Sequence, residues 1–366
     1  MKIPLVDLKR QYQSIKEEID SAMSGIIENT SFILGKPVEE FEQNFARFCN
    51  AKYAVGVGNG TDALKLTLEC MSLSKGDEVL APTHTFFATV EPVVQLGAKV
   101  VLVDADDKTF NIDVTKIEKK ITPKTKAIIP VHIYGRPAEM QVINEIAEKH
   151  NLLVLEDCCQ SHGAEYKGKR VPISTAGAFS FFPGKNIGAF GDGGAIVTND
   201  SEIYDKAKML RNHGRANKFQ SDFIGYNSRL DALQAAILDV KLKHLEEWTD
   251  MRIKNAKIYT KRLQDSEVVV PASDANCKSV FHLYVVRVKN RDKVINKLKE
   301  AGIGAGIHYP EPLHTQNALK NLIDTKQKFP VAEKICSEII SLPMFPELKK
   351  EEIEFVCDTL LDATKE

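Results

Sequence analysis

The chain has 366 residues, 43% hydrophobic and 27% charged, and its 49 basic and 50 acidic side chains give a formal net charge of −1. A chain of this length can bury a large core and suggests about two domains. Its composition excludes a disordered, collagen-like or disulfide-stapled protein. The balanced charge offers no attraction to a phosphate backbone or an anionic bilayer, so we expect neither nucleic acid nor membrane as a partner.

Cysteine usage and the N-terminus indicate the compartment. The cysteines are Cys49, Cys70, Cys158, Cys159, Cys277, Cys336 and Cys357. Their odd number and the lack of a C-x-x-C pair argue against a disulfide framework and a zinc site, so we expect no metal. The N-terminal sequence MKIPLVDLKRQY soon turns polar, and no stretch reaches the ~18 apolar residues of a membrane span. These features predict a soluble, cytoplasmic protein.

Short β-branched runs alternate with amphipathic stretches between residues 37 and 200, which indicates βαβ units around a mostly parallel sheet. The predicted strands are 53–57, 78–81, 100–104, 127–131, 152–156, 178–182 and 195–198. Phe41, Phe45 and Phe48 form a helical stripe that is expected to pack on this sheet. The fold class predicted for this part is therefore α/β.

A different pattern follows the predicted sheet. Residues 228–264 contain no glycine or proline and carry apolar residues at helical spacing, which predicts one long helix or two in line. Beyond it we predict a strand at 280–288 and helices at 293–301, 332–341 and 350–363. We interpret these elements as a smaller C-terminal α+β domain, with domains 1–245 and 246–366.

The first glycine cluster, VGVGNGTDALKLTL, follows a predicted strand and opens a helix. Gly58, Gly60 and Thr61 would then present backbone N–H groups at a helix N-terminus, where anions bind. The glycines at 56, 58 and 60 do not fit the dinucleotide spacing G-x-G-x-x-G, which fails at Thr61. A tight turn without a ligand is the alternative interpretation.

The second cluster, SFFPGKNIGAFGDGG, places Lys185 between a predicted buried strand and a glycine-rich segment. A P-loop needs glycine at the position of Phe179 and serine or threonine at that of Asn186. The segment therefore does not indicate ATP chemistry. Desolvation would lower the pKa of Lys185 and free its amine to form a Schiff base with an aldehyde. An ordinary surface lysine is the alternative.

Asp157, in LLVLEDCCQSHGA, follows a predicted strand, and open α/β sheets bind ligands at the carboxyl ends of their strands. Its carboxylate could hold a proton on a heteroaromatic nitrogen, which a pyridoxal phosphate enzyme requires for its electron sink. Helix capping is the alternative role for Asp157. Phe86, in THTFFATVE, could stack on such a ring or pack in the core.

These motifs in this order resemble the DegT-type family of pyridoxal phosphate-dependent nucleotide-sugar aminotransferases. The resemblance covers nearly the whole chain, from IPLVDLKRQY through GNGTDALKLTL and EDCCQSHGA to GIHYPEPLHTQ. It implies the aspartate aminotransferase (type I) fold and pyridoxal 5'-phosphate as the cofactor. It also implies that Lys185 is the Schiff-base lysine and proton shuttle, and that Asp157 is the partner of the pyridine nitrogen.

Further coenzyme contacts are implied by the same resemblance. Gln160 corresponds to a side chain near the ring hydroxyl, and Phe86 to the stacking aromatic. The phosphate cradle corresponds to Gly60, Thr61 and Ser180. Asn227, in GYNSRLDALQ, corresponds to a residue that reaches the phosphate from the neighbouring subunit, which implies a homodimer with shared active sites. Without the family, Asn227 would be interpreted as a turn asparagine.

The segment FFPGKNIGAFGDGG is similar to the branch that aminates the 3-keto carbon of dTDP-linked 6-deoxyhexoses, with glutamate as donor. In that branch the positions of His308 and Tyr309 lie near the sugar or nucleotide. The expected product is a dTDP-3-amino-3,6-dideoxyhexose. The alternatives are a UDP-sugar 3- or 4-aminotransferase and a non-catalytic, coenzyme-binding regulatory protein of the same fold. Phe182 replaces a tyrosine of some relatives, so the sugar's C4 configuration stays open.

Overall fold

The computed structural model describes residues 1–217, 219–324 and 326–365. Its strands are β1 Tyr53–Val57, β2 Glu78–Pro82, β3 Lys99–Val103, β4 Thr125–Ile128, β5 Leu153–Asp157, β6 Glu165–Tyr166, β7 Lys169–Arg170, β8 Ala176–Ser180, β9 Gly194–Thr198, β10 Cys277–Lys278, β11 Tyr284–Arg287 and β12 Ile339–Leu342. Its helices are α1 Leu8–Ser14, α2 Lys16–Glu28, α3 Lys36–Phe48, α4 Gly60–Cys70, α5 Glu91–Gln95, α6 Met140–His150, α7 Ser201–Leu210, α8 Ala232–Leu263, α9 Arg291–Glu300, α10 Pro330–Glu338 and α11 Lys350–Thr364.

A seven-stranded sheet in the order β1-β9-β8-β5-β4-β2-β3 forms the centre of the molecule. Strand β9 is antiparallel to both of its neighbours, and the pairings of the other strands are parallel. The predicted mostly parallel sheet is therefore confirmed, and all seven predicted runs are strands. The largest displacement is at the end of β4, which stops at Ile128 instead of residue 131.

This topology brings the predicted site residues to one edge of the sheet. Because β9 alone is reversed, β1, β2, β5 and β8 all end at the same edge. Asp157 and Ser180 are the last residues of β5 and β8, and Gly60 starts the helix that follows β1. The carboxyl edge of a parallel sheet is where such folds bind ligands.

The helical stripe of three phenylalanines packs as expected. Phe41 and Phe45 of α3 are fully buried, and Phe45 meets the rings of Phe179 and Phe181 edge to face at 5.0 and 5.2 Å. Phe48 is half-buried, and the guanidinium of Arg170 lies 4.3 Å from its ring centroid. This aromatic cluster fixes α3 against the strand that leads to Ser180.

The C-terminal part has its own core, formed by β11 and β12 with α9, α11 and the end of α8. The helix predicted at 332–341 is wrong at its end, because α10 stops at Glu338 and Ile339–Leu342 is a strand. Ile339 continues the helical spacing of Ile335, so periodicity alone extended the helix. Pairing with β11 decided the conformation instead. The domain boundary near residue 245 falls inside the continuous helix α8 and stays a prediction.

A buried ion pair holds the first strand of the sheet. Glu42 and Arg211 are 6% and 5% exposed; Glu42 accepts hydrogen bonds from Arg211 Nη1 and from the Gly56 amide (2.7 Å). Arg211 also donates to the Gly56 carbonyl at 2.6 Å. Both partners therefore fix β1 just before the glycine turn.

Replacing Glu42 by alanine is expected to lower the free energy of unfolding by about 3–5 kcal/mol, because it leaves a buried guanidinium uncompensated. Urea denaturation measures this change. Glu40→Ala is the matched control on the same helix, because Glu40 is exposed and pairs with Lys36 at the surface. This substitution should cost less than about 1 kcal/mol. Equal losses in the two variants would contradict the role of the buried pair.

Within the part of the chain that the structure describes, no helix is both long and apolar enough to cross a bilayer. All seven cysteines are free. His132, Glu156 and Cys158 lie close enough to share a metal ion. The His132 ring instead bonds Glu156 through Nε2 (2.9 Å) and accepts the Ala138 amide through Nδ1 (3.0 Å). These hydrogen bonds occupy the imidazole, so we assign the group a structural role.

Candidate active site

A cavity of about 650 Å³ opens at the carboxyl edge of the sheet, between the sheet and the C-terminal part. Nine of the eleven residues that the sequence assigned to the site line it: Gly60, Thr61, Phe86, Asp157, Gln160, Ser180, Lys185, His308 and Tyr309. They come from five separate segments of the chain. The fold therefore assembles in one place the residues that the sequence motifs indicated.

Lys185 lies in a turn that is held by an internal backbone hydrogen bond. Its amide donates to the Phe182 carbonyl at 2.9 Å, and a Cβ on Gly188 would lie 2.3 Å from the Pro183 carbonyl oxygen, so only glycine fits there. The buried Lys241 of α8 donates from Nζ to the Gly188 carbonyl at 2.6 Å. The turn is thus anchored from within and from α8.

The Lys185 side chain keeps part of its surface, which faces the cavity. Burial by the surrounding protein lowers its pKa, against the opposite influence of Cys159 and Asp157. A lowered pKa raises the neutral fraction of the amine, which is the nucleophilic form. The arrangement fits a lysine that forms a covalent bond with a carbonyl compound.

Asp157 is buried at the end of β5, and its carboxylate is held at both oxygens. Oδ1 accepts the Cys159 amide at 3.1 Å, and Oδ2 accepts the Thr89 hydroxyl at 2.8 Å. The Thr85 hydroxyl lies 2.9 Å from that of Thr89 and extends the network. These bonds fix the carboxylate at the cavity wall, where a cationic ring nitrogen would find a charged acceptor.

The helix α4 begins at the cavity with Gly60 and Thr61, whose N–H groups have no intrahelical acceptor. Asn59 caps the helix by accepting the Asp62 amide at 2.8 Å. The predicted contribution of Gly58 is wrong, because its amide already donates to the Ser228 hydroxyl at 3.1 Å. The anion cradle therefore starts two residues later than the sequence pattern indicated.

Close packing explains the glycine at position 60. A Cβ there would lie 2.7 Å from Cβ of Ser180 and 3.1 Å from Sγ of Cys159. The Gly60→Ala variant is therefore expected to push α4 from the cavity and to weaken phosphate binding about tenfold, measured as coenzyme affinity of the apoenzyme. Gly25→Ala, inside α2 with no atom within 4 Å, should leave this affinity unchanged. Unaltered affinity in the first variant would contradict the cradle.

Gln160 and Tyr309 meet across the cavity. The Gln160 amide accepts the Tyr134 backbone N–H at 2.7 Å through Oε1, and its Nε2 lies 3.3 Å from the Tyr309 hydroxyl. Phe86 is 54% exposed, and its ring centroid lies 5.4 Å from that of Tyr309. This exposure does not agree with core packing of Phe86, so its ring is available to a flat ligand.

The histidine His308 is held through its ring. Nδ1 lies 2.8 Å from the Ser341 hydroxyl of β12, and burial together with the charge of Lys185 lowers the pKa of the ring. The imidazole is therefore neutral at pH 7. It can contact a substrate through its remaining ring nitrogen without adding a charge.

Asn227 does not line the cavity of its own chain. Its side chain is exposed, and its backbone forms a bridge with Asn212 in the loop before α8. This placement agrees with a residue that reaches another subunit, which remains a prediction.

Sequence reasoning missed three residues at the site. Thr89 bonds Asp157, Tyr134 bonds Gln160, and His282 lines the cavity with its ring 3.3 Å from Asn186. The T-x-x-x-T spacing of Thr85 and Thr89 was a usable signal, because it places two hydroxyls together after β2. Tyr134 and His282 carry no such local pattern.

The residues of the cavity fit pyridoxal phosphate. The first-turn amides of α4 suit its phosphate, the buried Asp157 carboxylate suits its ring nitrogen, and the Lys185 amine suits its aldehyde. A Cβ at position 60 would fill the cradle. Each part of the coenzyme thus has a matching group in this chain.

Comparison with known proteins agrees with this geometry. The model of the DegT/DnrJ/EryC1/StrS aminotransferase family matches residues 13–361. The pleiotropic regulatory protein of Geobacillus stearothermophilus is 44% identical over 366 residues, covering 99% of this chain and 98% of that protein. The dTDP-3-amino-3,6-dideoxy-alpha-D-galactopyranose transaminase of Aneurinibacillus thermoaerophilus is 45% identical, with 98% of both chains covered.

Two further relatives widen the comparison. The UDP-2-acetamido-2-deoxy-3-oxo-D-glucuronate aminotransferase of Pseudomonas aeruginosa is 43% identical, covering 98% of this chain and 99% of that protein. Among solved structures, DesV of S. venezuelae in complex with a ketimine intermediate superimposes with a TM-score of 0.98 at 38% identity. The superposition covers 100% of this chain and 99% of DesV. The fold is that of these aminotransferases over its full length.

Proposed function

We propose a specific reaction for this chain, which belongs to the DegT/DnrJ/EryC1/StrS aminotransferase family. It is a sugar aminotransferase that uses pyridoxal 5'-phosphate. We infer that glutamate is the amino donor and that a dTDP-linked 3-keto-6-deoxyhexose is the acceptor. The product is then a dTDP-3-amino-3,6-dideoxyhexose. The observation that carries the catalytic part is Lys185 and Asp157 on the wall of one cavity.

The bound coenzyme supplies the electron sink and carries the amino group between the two substrates. In our proposal the Lys185 amine would hold the coenzyme through its aldehyde and, once displaced by the donor's amino group, would take the proton from the donor's α-carbon and deliver it to the coenzyme carbon that bears the amino group. Asp157 would keep the ring nitrogen protonated. Gly60, Thr61 and Ser180 would hold the phosphate, Phe86 would cover the ring, and Gln160 would lie near its hydroxyl.

Apolar side chains on the cavity wall support our proposal of an acceptor with a methyl group at C6. Leu5, Val6, Leu64 and Phe182 line the cavity, and these side chains suit a methyl group better than a carboxylate. His308 and Tyr309 would contact the sugar or nucleotide in this arrangement.

We also propose a homodimer with shared active sites. Among the described residues that line the cavity, the basic side chains are Lys185, His282 and His308, and no arginine is present. Glutamate and a nucleotide diphosphate need more positive charge than this. The loop that carries Asn227 also exposes Phe223 and Ile224, as expected for a surface that a second copy covers.

An absorbance experiment tests the proposed reaction. The holoenzyme should lose its lysine-bound coenzyme band when glutamate is added, and regain it when a dTDP-linked 3-keto-6-deoxyhexose follows. A UDP-linked 3-keto sugar and its glucuronate form are the comparison acceptors. Recovery with a UDP-sugar alone would replace the dTDP proposal, and no response to any amino donor would overturn the aminotransferase assignment.

A regulatory protein is the second candidate function, because the G. stearothermophilus relative carries that name. A purely regulatory protein has no need of the lysine and the carboxylate on one cavity wall. The same spectra separate the two functions, since a regulator that only binds the coenzyme would show no donor-dependent change.

A further inference from the structure

Tyr134 lies behind the cavity and contacts two of the residues that line it, Gln160 and His308. It is buried in the turn after β4, with a backbone φ of 58°, in the left-handed region that a tyrosine rarely adopts. Its N–H fixes Oε1 of Gln160 at 2.7 Å, which leaves Nε2 to face Tyr309. The main chain of Tyr134 therefore sets the orientation of the Gln160 amide.

The hydroxyl of Tyr134 is part of a buried chain of hydrogen bonds with one direction. It contacts the His308 carbonyl, which can only accept, so the hydroxyl is the donor. His84 Nε2 lies 2.7 Å from the same hydroxyl and must carry the proton that it donates. His84 Nδ1 is then the acceptor for the Cys336 thiol, 3.4 Å away.

Burial keeps this chain in one protonation state. It lowers the pKa of His84 to about 4 and raises that of Tyr134 well above its usual value. Both groups are consequently neutral across the physiological pH range, and each hydrogen-bonding proton stays on the donor atom named above. A network with every member satisfied in a single arrangement is rigid.

The His308–Tyr309 segment is thereby held at two points. Tyr134 holds the carbonyl of His308, and Ser341 holds its ring. The next residue, Tyr309, approaches Phe86 and Gln160. Any shift of the His308 carbonyl would therefore move the part of the wall that we assign to the acceptor.

We propose that Tyr134 is a positioning residue, whose hydroxyl fixes the His308–Tyr309 segment for the acceptor sugar nucleotide. Its backbone N–H orients Gln160 independently of that hydroxyl. The inference rests on the proposed function, because it assigns the acceptor to His308 and Tyr309. It predicts that loss of the hydroxyl impairs the acceptor half of the reaction and spares the donor half.

The Tyr134→Phe variant removes only this oxygen and keeps the backbone bond to Gln160. The His308 carbonyl and His84 Nε2 each lose a buried partner. We expect the KM for the acceptor to rise about tenfold while the rate of the glutamate half-reaction stays within about twofold of wild type. Calorimetric titration of the apoenzyme with the amino-sugar nucleotide product should show the same loss of affinity without turnover.

Tyr259→Phe is the matched control. Tyr259 is also buried and donates to a carbonyl, that of Pro343 at 3.0 Å, in the core of the C-terminal part. Both variants should lose similar thermal stability, but the Tyr259 variant should keep the wild-type acceptor KM. A rise of the acceptor KM in both would show a general loosening and overturn the proposal.

The remaining outcomes are separable. If wild type responds to glutamate but to no keto-sugar nucleotide, the proposed acceptor fails first. If wild type completes the cycle and Tyr134→Phe has an unchanged acceptor KM, the positioning role fails while the proposed function stands. Should Tyr134→Phe not fold, His84→Leu removes the ring N–H donor to the hydroxyl and should show the same split by a smaller factor; an unchanged acceptor KM there also overturns the role.

Discussion

Alanine at position 185 is expected to lower turnover by about 10²–10⁴-fold or more, because no other amine lies in the turn between Pro183 and Gly188. The coenzyme should still bind, since Gly60, Thr61 and Asp157 are untouched. The measurements are steady-state turnover and borohydride reduction followed by peptide mass spectrometry. In wild type the coenzyme mass should appear on the Lys185 peptide, and in the variant on no peptide.

Lys185→Arg is the control for charge and size. Its guanidinium stays protonated and is not a nucleophile, so it should be as inactive as the alanine variant. Lys243→Ala, on the exposed face of α8, should keep wild-type turnover. Near-normal activity of either Lys185 variant would refute the assignment of the lysine.

The sheet and its site edge could be predicted from sequence because their signals are local. Each buried strand is a short β-branched run, and strand ends bring their last residues to one edge whatever the details of packing. Asp157 was therefore placed at the edge of the sheet that carries the cavity without knowledge of any contact, whereas Ser180 was named only through the family resemblance. The antiparallel direction of β9 was not predictable from its own residues. A strand that follows a glycine-rich turn and one that follows a crossover have the same apolar sequence pattern, so the pattern does not indicate the strand's direction.

The predictions that were wrong concern residues whose structure depends on contacts between distant segments of the chain, and not on local signals. Ile339 continues a helical spacing, yet pairing with β11 makes it the first residue of a strand. Gly58 belongs to the glycine turn, yet its amide donates a hydrogen bond to the hydroxyl of Ser228, which is far away in the sequence. The position of Tyr134 is similar, because its function depends on His308 in the C-terminal part. No periodicity or motif spacing encodes such partners.

Asn227 shows a further limit. Its sequence context indicates a turn, and the single chain shows an exposed side chain away from the cavity. In our proposal it is a second copy that brings this residue to the coenzyme phosphate. Family resemblance, rather than residue chemistry, led to the shared-site prediction, and size-exclusion chromatography with light scattering tests whether the dimer exists.

The Asp157→Asn variant is expected to slow the glutamate half-reaction by about 10²–10³-fold while the protein stays folded. Asparagine keeps the shape, and its oxygen can still accept the Cys159 amide while its NH₂ faces the Thr89 hydroxyl. The negative charge that would hold a proton on the ring nitrogen is lost. Stopped-flow absorbance after mixing holoenzyme with glutamate measures the rate directly.

A second buried carboxylate, Asp104, provides a control that distinguishes the loss of charge at the site from the loss of charge elsewhere in the fold. Asp104 is as little exposed as Asp157, at 5% each; its Oδ1 accepts the amides of Ala105 and Ala332, and its Oδ2 accepts a hydrogen bond from Lys116 Nζ at 3.3 Å. Asp104→Asn should therefore lower stability and leave the half-reaction within about twofold of wild type. Because both changes remove one buried charge, a slow half-reaction in Asp157→Asn alone would assign the effect to the ring nitrogen. An equal slowing in both variants would remove Asp157 from the chemistry and leave it a structural carboxylate.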